Sequence, residues 1–199
     1  MVPKLPRHAG LIALLLLALG AGATFGWFWW NALRNPVVSF LPHRSPAEWI
    51  VYPLAPIGGV RDKVELATVF KKSFELSPVA STGRMRIAAF GHYQVLLNGV
   101  VVDAPTRPAK NWKEPDLLEA GKQLSAGSNT LVVTVWNSNG PPALWLALEL
   151  DKQVIATGDG WECSCEDAAW QPASLARKAV ASAPGGLLSG GEQSWISTQ

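Results

Sequence analysis

The stretch RPAKNWKEP, residues 107–115, sets an indole between an amide and an ammonium, because Asn111, Trp112 and Lys113 follow one another in a polar, proline-rich segment. An aromatic face stacks on the C–H face of a sugar, while amide and charged side chains complete the contacts to its hydroxyls. These three are therefore candidate ligand-binding residues. The competing role for Trp112 is structural: an indole folded back to plug the open end of a β domain, on a loop stiffened by Pro108 and Pro115. Asn98, in YQVLLNGVVV (residues 93–102), is the fourth candidate. Its scaffold role is just as plain, since Asn-Gly between apolar runs supplies the two positive φ angles of a type I′ hairpin turn.

Residue types for bond-breaking chemistry occur without a pattern. Glu162, Glu166 and Asp167 lie close together in WECSCED. Glycoside hydrolysis needs two carboxylates held across a cleft, one with a raised pKa, and nothing singles out such a pair here. A solvated acidic loop is the simpler expectation. Cys163 and Cys165 are one residue apart, so a bridge between them would close a very small, strained ring. A metal site would need more ligands, and the nearest histidine in sequence is His92. They read as two ordinary thiols, the alternative being one short redox-labile bridge. His8 and His43 fall in flanking segments, and His92 beside Tyr93 reads as structural. There is no GxSxG, no HExxH, no phosphate-cradling glycine loop and no zinc or haem spacing. The sequence predicts no catalytic residue, no metal and no cofactor.

The elements that must carry these residues begin with a hydrophobic run. No charge occurs from Ala9 to Leu33, and a helix of that length reaches roughly 37 Å, enough for a hydrocarbon core of about 30 Å. Lys4 and Arg7 precede it, and Trp27, Trp29 and Trp30 fall where an aromatic belt meets the far interface. The run is expected to be an uncleaved anchor contacting membrane lipid. A signal peptide cleaved after Ala21-Gly22-Ala23 is the alternative. By the positive-inside rule, both place the remainder outside the cytoplasm. The chain has 17 Lys and Arg against 15 Asp and Glu, so without Lys4 and Arg7 the rest is neutral. No basic stripe appears, which argues against a nucleic-acid partner.

Beyond a proline-rich linker, the pattern is of strands. WIVYPL (49–54) and VELATVFKKSFEL (64–76) come first, the latter with Val64, Leu66, Phe70, Phe74 and Leu76 on one face. MRIAAFG (85–91), YQVLLNG (93–99) and the returning GVVVD follow. PDLLEAGKQL (115–124) is helix-like. TLVVTVWN (130–137) is apolar on both faces, as in a central strand. ALWLALEL (143–150) and QVIATG (153–158) close the series. The fold class is all-β, a two-sheet antiparallel jelly-roll sandwich after one N-terminal transmembrane helix. The expected organisation is a cytoplasmic flank (1–8), the anchor or signal peptide (9–33), a linker (34–44), the sandwich (45–173) and a Gly-rich tail or linker (174–199).

The order of these pieces resembles the galactose-binding-like jelly-roll domain found at the N-terminus of glycoside hydrolases related to β-galactosidase and α-L-rhamnosidase. The resemblance rests on the Y-x-V-x-L-N-G hairpin, the L-x-x-G-x-N-x-L-x-V-x-V-W-N run and the paired Trp161 and Trp170, within residues 45–173. It implies a non-catalytic sandwich, since in such hydrolases the catalytic acids lie in a separate domain. Of the other tryptophans, Trp136, Trp145 and Trp161 are expected in the core. Two functions follow as expectations. One is a membrane-anchored, periplasmic or extracellular accessory module that binds glycan for a carbohydrate-active or other envelope protein. The other is a structural or assembly subunit with no sugar ligand, held to a multi-pass membrane protein or a downstream domain.

Overall fold

A computed structural model describes residues 9–38, 41–53, 65–77, 82–103, 111–138, 140–151 and 153–177. The chain divides into two compact units, one ending at Pro42 and the other beginning at His43.

The first unit contains one helix, α1 (Ala9–Arg34), 26 residues long. It is apolar on every side, with Leu14, Leu17, Phe25 and Trp27 all exposed. A helix with no polar face has no reason to stay in water. Its length and composition suit a membrane span, and a signal sequence meets the same description. Asn31 and Thr24 satisfy their side chains on the backbone one turn earlier, at Trp27 O and Gly20 O. Arg34 closes the helix with its guanidinium 4.1 Å from the centre of the Trp30 ring.

The second unit is built from β1 (Ile50–Val51), β2 (Leu66–Leu76), β3 (Gly83–Phe90), β4 (His92–Leu97), β5 (Val100–Asp103), β6 (Asp116–Glu119), β7 (Gly127–Asn137), β8 (Ala143–Leu150), β9 (Val154–Ala156), β10 (Glu162–Cys165), β11 (Gln171–Pro172) and β12 (Ser174–Leu175). One sheet runs β12-β1-β8-β3-β6 with β9 also on β8, and the other runs β11-β10-β2-β7-β4-β5. The described pairings are antiparallel. This is the two-sheet sandwich after an apolar helix that the sequence predicts.

Alternation explains the two long strands at its centre. On β2, Thr68, Phe70 and Leu76 face inward and are buried, while Ser73 and Glu75 are exposed. On β7, Leu131, Val133 and Val135 are fully buried. Leu144, Leu146 and Leu148 of β8 meet them from the opposite sheet. Each such side chain contributes about 1.5–3 kcal/mol on leaving water. β8 is buried on its other face too, where Trp145 donates its Nε1 hydrogen to Arg44 O and Ala47 O, both at 3.0 Å.

The chain changes sheets between β3 and β4 at a single residue, Gly91. Its φ is +122°, and a Cβ there would stand 2.0 Å from Trp136 O. Only glycine tolerates both. The two sheets are tied at this side by Tyr93, whose hydroxyl donates to Asp116 Oδ2 at 2.7 Å.

Three expectations are corrected. PDLLEAGKQL is not a helix: Asp116–Glu119 forms β6, paired with Arg84–Ile87, and only Gly121–Gln123 makes a 3-10 turn. The open edge of β3 offers this segment backbone partners, and Leu118, Ala120 and Leu124 reach the core. That outweighs the helix propensity of Leu, Glu and Ala, which is worth only tenths of a kcal/mol per residue. The strand expected over 49–54 narrows to Ile50–Val51, with Leu54 outside the described residues. The sheet also continues past residue 173, because Ser174 and Leu175 pair with Val51 and Ile50.

A buried amide sets the register at one end. Asn129 is fully buried. Its Oδ1 accepts from Asn98 Nδ2 and Ser125 N, and its Nδ2 donates to Ser125 O and Gly127 O, all between 2.8 and 2.9 Å. Asn129→Ala removes all four bonds, which tie the buried amide to Asn98, Ser125 and Gly127 at the surface. It should cost about 2 kcal/mol or more, since each of the bonds nets about 0.5–1.5 kcal/mol. Urea denaturation of the purified chain measures this, and a loss below about 1 kcal/mol would contradict the role given to the amide.

Candidate functional site

The four residues singled out in the sequence fall into two places. Asn111, Trp112 and Lys113 share one turn, and Asn98 sits in the β4–β5 hairpin. Asn111 Oδ1 accepts from Lys113 N at 3.1 Å, and Glu114 N donates to Asn111 O at 3.0 Å. Asn111 therefore shapes the turn that presents Trp112.

Trp112 is buried. It meets Phe90 edge-on with ring centres 4.7 Å apart and Trp49 likewise at 6.0 Å. Lys113 is buried too, its Nζ 5.2 Å from the Trp112 ring centre. Burial pushes the Lys113 ammonium below the usual lysine range. The indole thus has the plug arrangement rather than that of a flat, exposed platform. Asn98 has φ of 55° and Gly99 of 78°, as a type I′ turn demands. The Asn98 amide donates to Gln123 O and Asn129 Oδ1 and accepts from Thr130 N, so this side chain is engaged in the scaffold.

The acidic residues are likewise engaged in structure. Glu166 N donates to Ala67 O, and Glu166 Oε1 accepts from Ala67 N. Ala168 N closes the turn on Cys165 O at 2.9 Å, with φ of 47° and 60° at Glu166 and Asp167. Glu162 pairs with Lys71 at 3.0 Å. Cys163 and Cys165 are free, buried thiols on the inner side of β10. Burial first, and the neighbouring Cys165 second, push the Cys163 thiol up to about 12, and burial raises Cys165 as well. A thiol held so far from its thiolate is a poor nucleophile. Among the described residues, no group of three or more His, Cys, Asp or Glu is placed to hold a metal ion.

Trp145 and Trp161 are in the core as expected, Trp161 donating to Ala156 O at 2.9 Å. Trp136 is not. It lies half-buried on the outer face of its sheet, stacked on His92 at 5.2 Å and 12°. Trp170 is the exposed aromatic that the sequence did not single out as a candidate. It is 48 % exposed, alone in this among the described tryptophans of the sandwich, and Lys71 Nζ stands 4.3 Å from its ring centre. The signal for it was weak: an indole just past the acidic turn EDAA and two residues before Pro172.

No protein-family model and no curated protein matches the chain. Solved structures do. An α-L-rhamnosidase of Streptomyces avermitilis complexed with L-rhamnose matches over 73 % of this chain and 15 % of its own, at TM-score 0.56 and 18 % identity. An α-L-rhamnosidase from Dictyoglumus thermophilum matches over 65 % of this chain and 21 % of its own, at TM-score 0.50 and 19 % identity. A lectin from Pleurotus ostreatus in complex with GalNAc matches over 65 % of this chain and 42 % of its own, at TM-score 0.50 and 14 % identity. The chain thus spans less than half the length of each. The likeness is one of fold, a two-sheet antiparallel β-sandwich.

Trp112→Ala should lower the stability of the sandwich by about 3–5 kcal/mol, the range for a buried large aromatic truncated to Ala. Trp112→Phe should retain most of it by keeping an aromatic edge against Phe90. Thermal melts of both variants check this. A Trp112→Ala protein that melts like the parent would refute the plug.

Proposed function

We propose that this protein is a membrane-anchored, extracytoplasmic accessory module whose sandwich binds glycan and performs no chemistry of its own. The observation that carries the reading is the outer face of the sheet β11-β10-β2-β7-β4-β5. Strand register places Glu162, Lys71, Val132 and Leu96 in one row of that face, Ser164, Val69, Thr134 and Gln94 in the next, and Ala67, Trp136 and His92 in a third. The face mixes aromatic, amide, hydroxyl and charged groups, which is the composition a sugar needs: apolar surface for its C–H groups and donors and acceptors for its hydroxyls. The fold supports the reading, since one solved neighbour is a lectin complexed with GalNAc and another is a rhamnosidase complexed with L-rhamnose. The engagement of Glu162, Glu166, Cys163 and Cys165 in scaffolding supports the absence of catalysis.

The anchor is α1. Lys4 and Arg7 before it favour a cytoplasmic N-terminus and a sandwich on the far side, beside a carbohydrate-active or other envelope protein. A second reading, an assembly subunit without a sugar ligand, is favoured by a specific feature. Val100 and Val101 on β5 and Leu117 on β6 are exposed, and β5 and β6 are neighbouring edges of the two sheets. An apolar edge of this kind suits contact with another protein.

Membranes carrying the full chain should retain it through carbonate extraction with Met1–Leu33 intact, and the solubilised chain should bind on a glycan array. An N-terminus at Thr24 would sink the anchor. Binding to no glycan, with co-purification of a multi-pass protein, would replace the module by the assembly subunit.

A further inference from the structure

We propose that Trp170, Lys71 and Glu162 form the sugar site, and that it takes a neutral pyranose. The inference rests on the glycan-binding reading above and gives it a place and a ligand class.

Register brings the three together. Lys71 of β2 stands directly opposite Glu162 of β10, and Glu162 stands opposite Pro172 of β11. Side chains alternate along a strand, so Trp170, two residues before Pro172, emerges on the same outer face. The Lys71 ammonium lies 4.3 Å from the Trp170 ring centre and 3.0 Å from Glu162 Oε2. All three groups reach solvent: the indole is 48 % exposed, and the Lys71 and Glu162 side chains 33 % and 54 %.

The segment leading to Trp170 is held with some care. Two successive non-glycine residues, Glu166 and Asp167, have positive φ, a conformation that persists only where the surroundings fix it. The paired bonds between Glu166 and Ala67 fix this turn against β2. Ser164 Oγ donates to Ala168 O at 2.5 Å, fixing the residue two before the indole. Trp170 is therefore an exposed aromatic on a tethered segment at a sheet edge.

The chemistry selects the ligand. Lys71 Nζ lies over the Trp170 ring, so the apolar surface offered to one C–H face of a pyranose is what the 48 % exposed indole leaves uncovered. Beside it stand one donor group and one acceptor group. A sugar hydroxyl both donates and accepts, so two neighbouring hydroxyls satisfy an ammonium and a carboxylate together. The Lys71–Glu162 pair is neutral overall. A uronate would meet Glu162 with like charge and an amino sugar Lys71, and in each case the attraction to the other partner competes with the 3.0 Å contact within the pair. A neutral sugar meets neither.

The test uses the full chain, solubilised in a detergent without a sugar headgroup, on an array of neutral and acidic glycans. The parent should bind neutral glycans with little dependence on salt. Trp170→Ala should weaken that binding at least tenfold with an unchanged melting temperature, and Trp170→Tyr should restore part of it. Glu162→Gln should weaken it less than Trp170→Ala. Equal binding by the parent and Trp170→Ala would overturn the site while leaving a glycan-binding module. Binding confined to acidic glycans would overturn the neutral class. Binding to no glycan would remove the site and the glycan-binding function together.

Discussion

The sandwich depends on one long pairing, the eleven-residue register between β2 and β7 from Leu66↔Asn137 to Leu76↔Gly127. A register error of one residue would turn every side chain on a strand to the other face, moving Phe70 into water and Lys71 into the core. Both ends of the pairing are fixed by features that tolerate no slip. At one end, Asn129 sits opposite Phe74 and joins the Asn98 turn, Ser125 and Gly127 through a buried amide. At the other, Gly91 brings the chain from one sheet to the next against Trp136 O. The rows of the outer face, including the Lys71–Glu162 pair, follow from that register.

What the sequence made legible was whatever depended on local alternation or turn geometry. β7 and β8 are long, strongly patterned and central, and Asn98-Gly99 needs its turn for backbone reasons alone. What it hid depended on partners remote in sequence. β6 reads as helix because Leu117, Leu118, Glu119 and Ala120 are good helix formers, and only the open edge of β3 makes them a strand. The two-residue strands β11 and β12 carry no pattern to read.

The tryptophans make the same point about the site. Trp112 has polar neighbours, and a polar neighbourhood suggests exposure. Yet Asn111 turns the backbone, so the indole goes down onto Phe90 and Trp49. Trp170 has two alanines before it, which suggests burial. It is exposed because β11 is the last strand of its sheet and the residue lies on the outer face. Neighbouring residue types report the character of a segment, but the facing of one side chain is set by strand parity and by where the sheet ends.

The same logic separates the acids from the chemistry they resemble. A carboxylate becomes a catalytic acid when its surroundings raise its pKa and a second group is held at working distance. Here the two carboxylates are engaged in holding the scaffold. Glu166 caps a backbone N–H of β2, and Glu162 neutralises Lys71 beside an aromatic ring. A face where Lys71 is matched by Glu162 and the Trp170 indole stays in water is the surface on which the proposed binding of a polar, uncharged molecule with one apolar side rests.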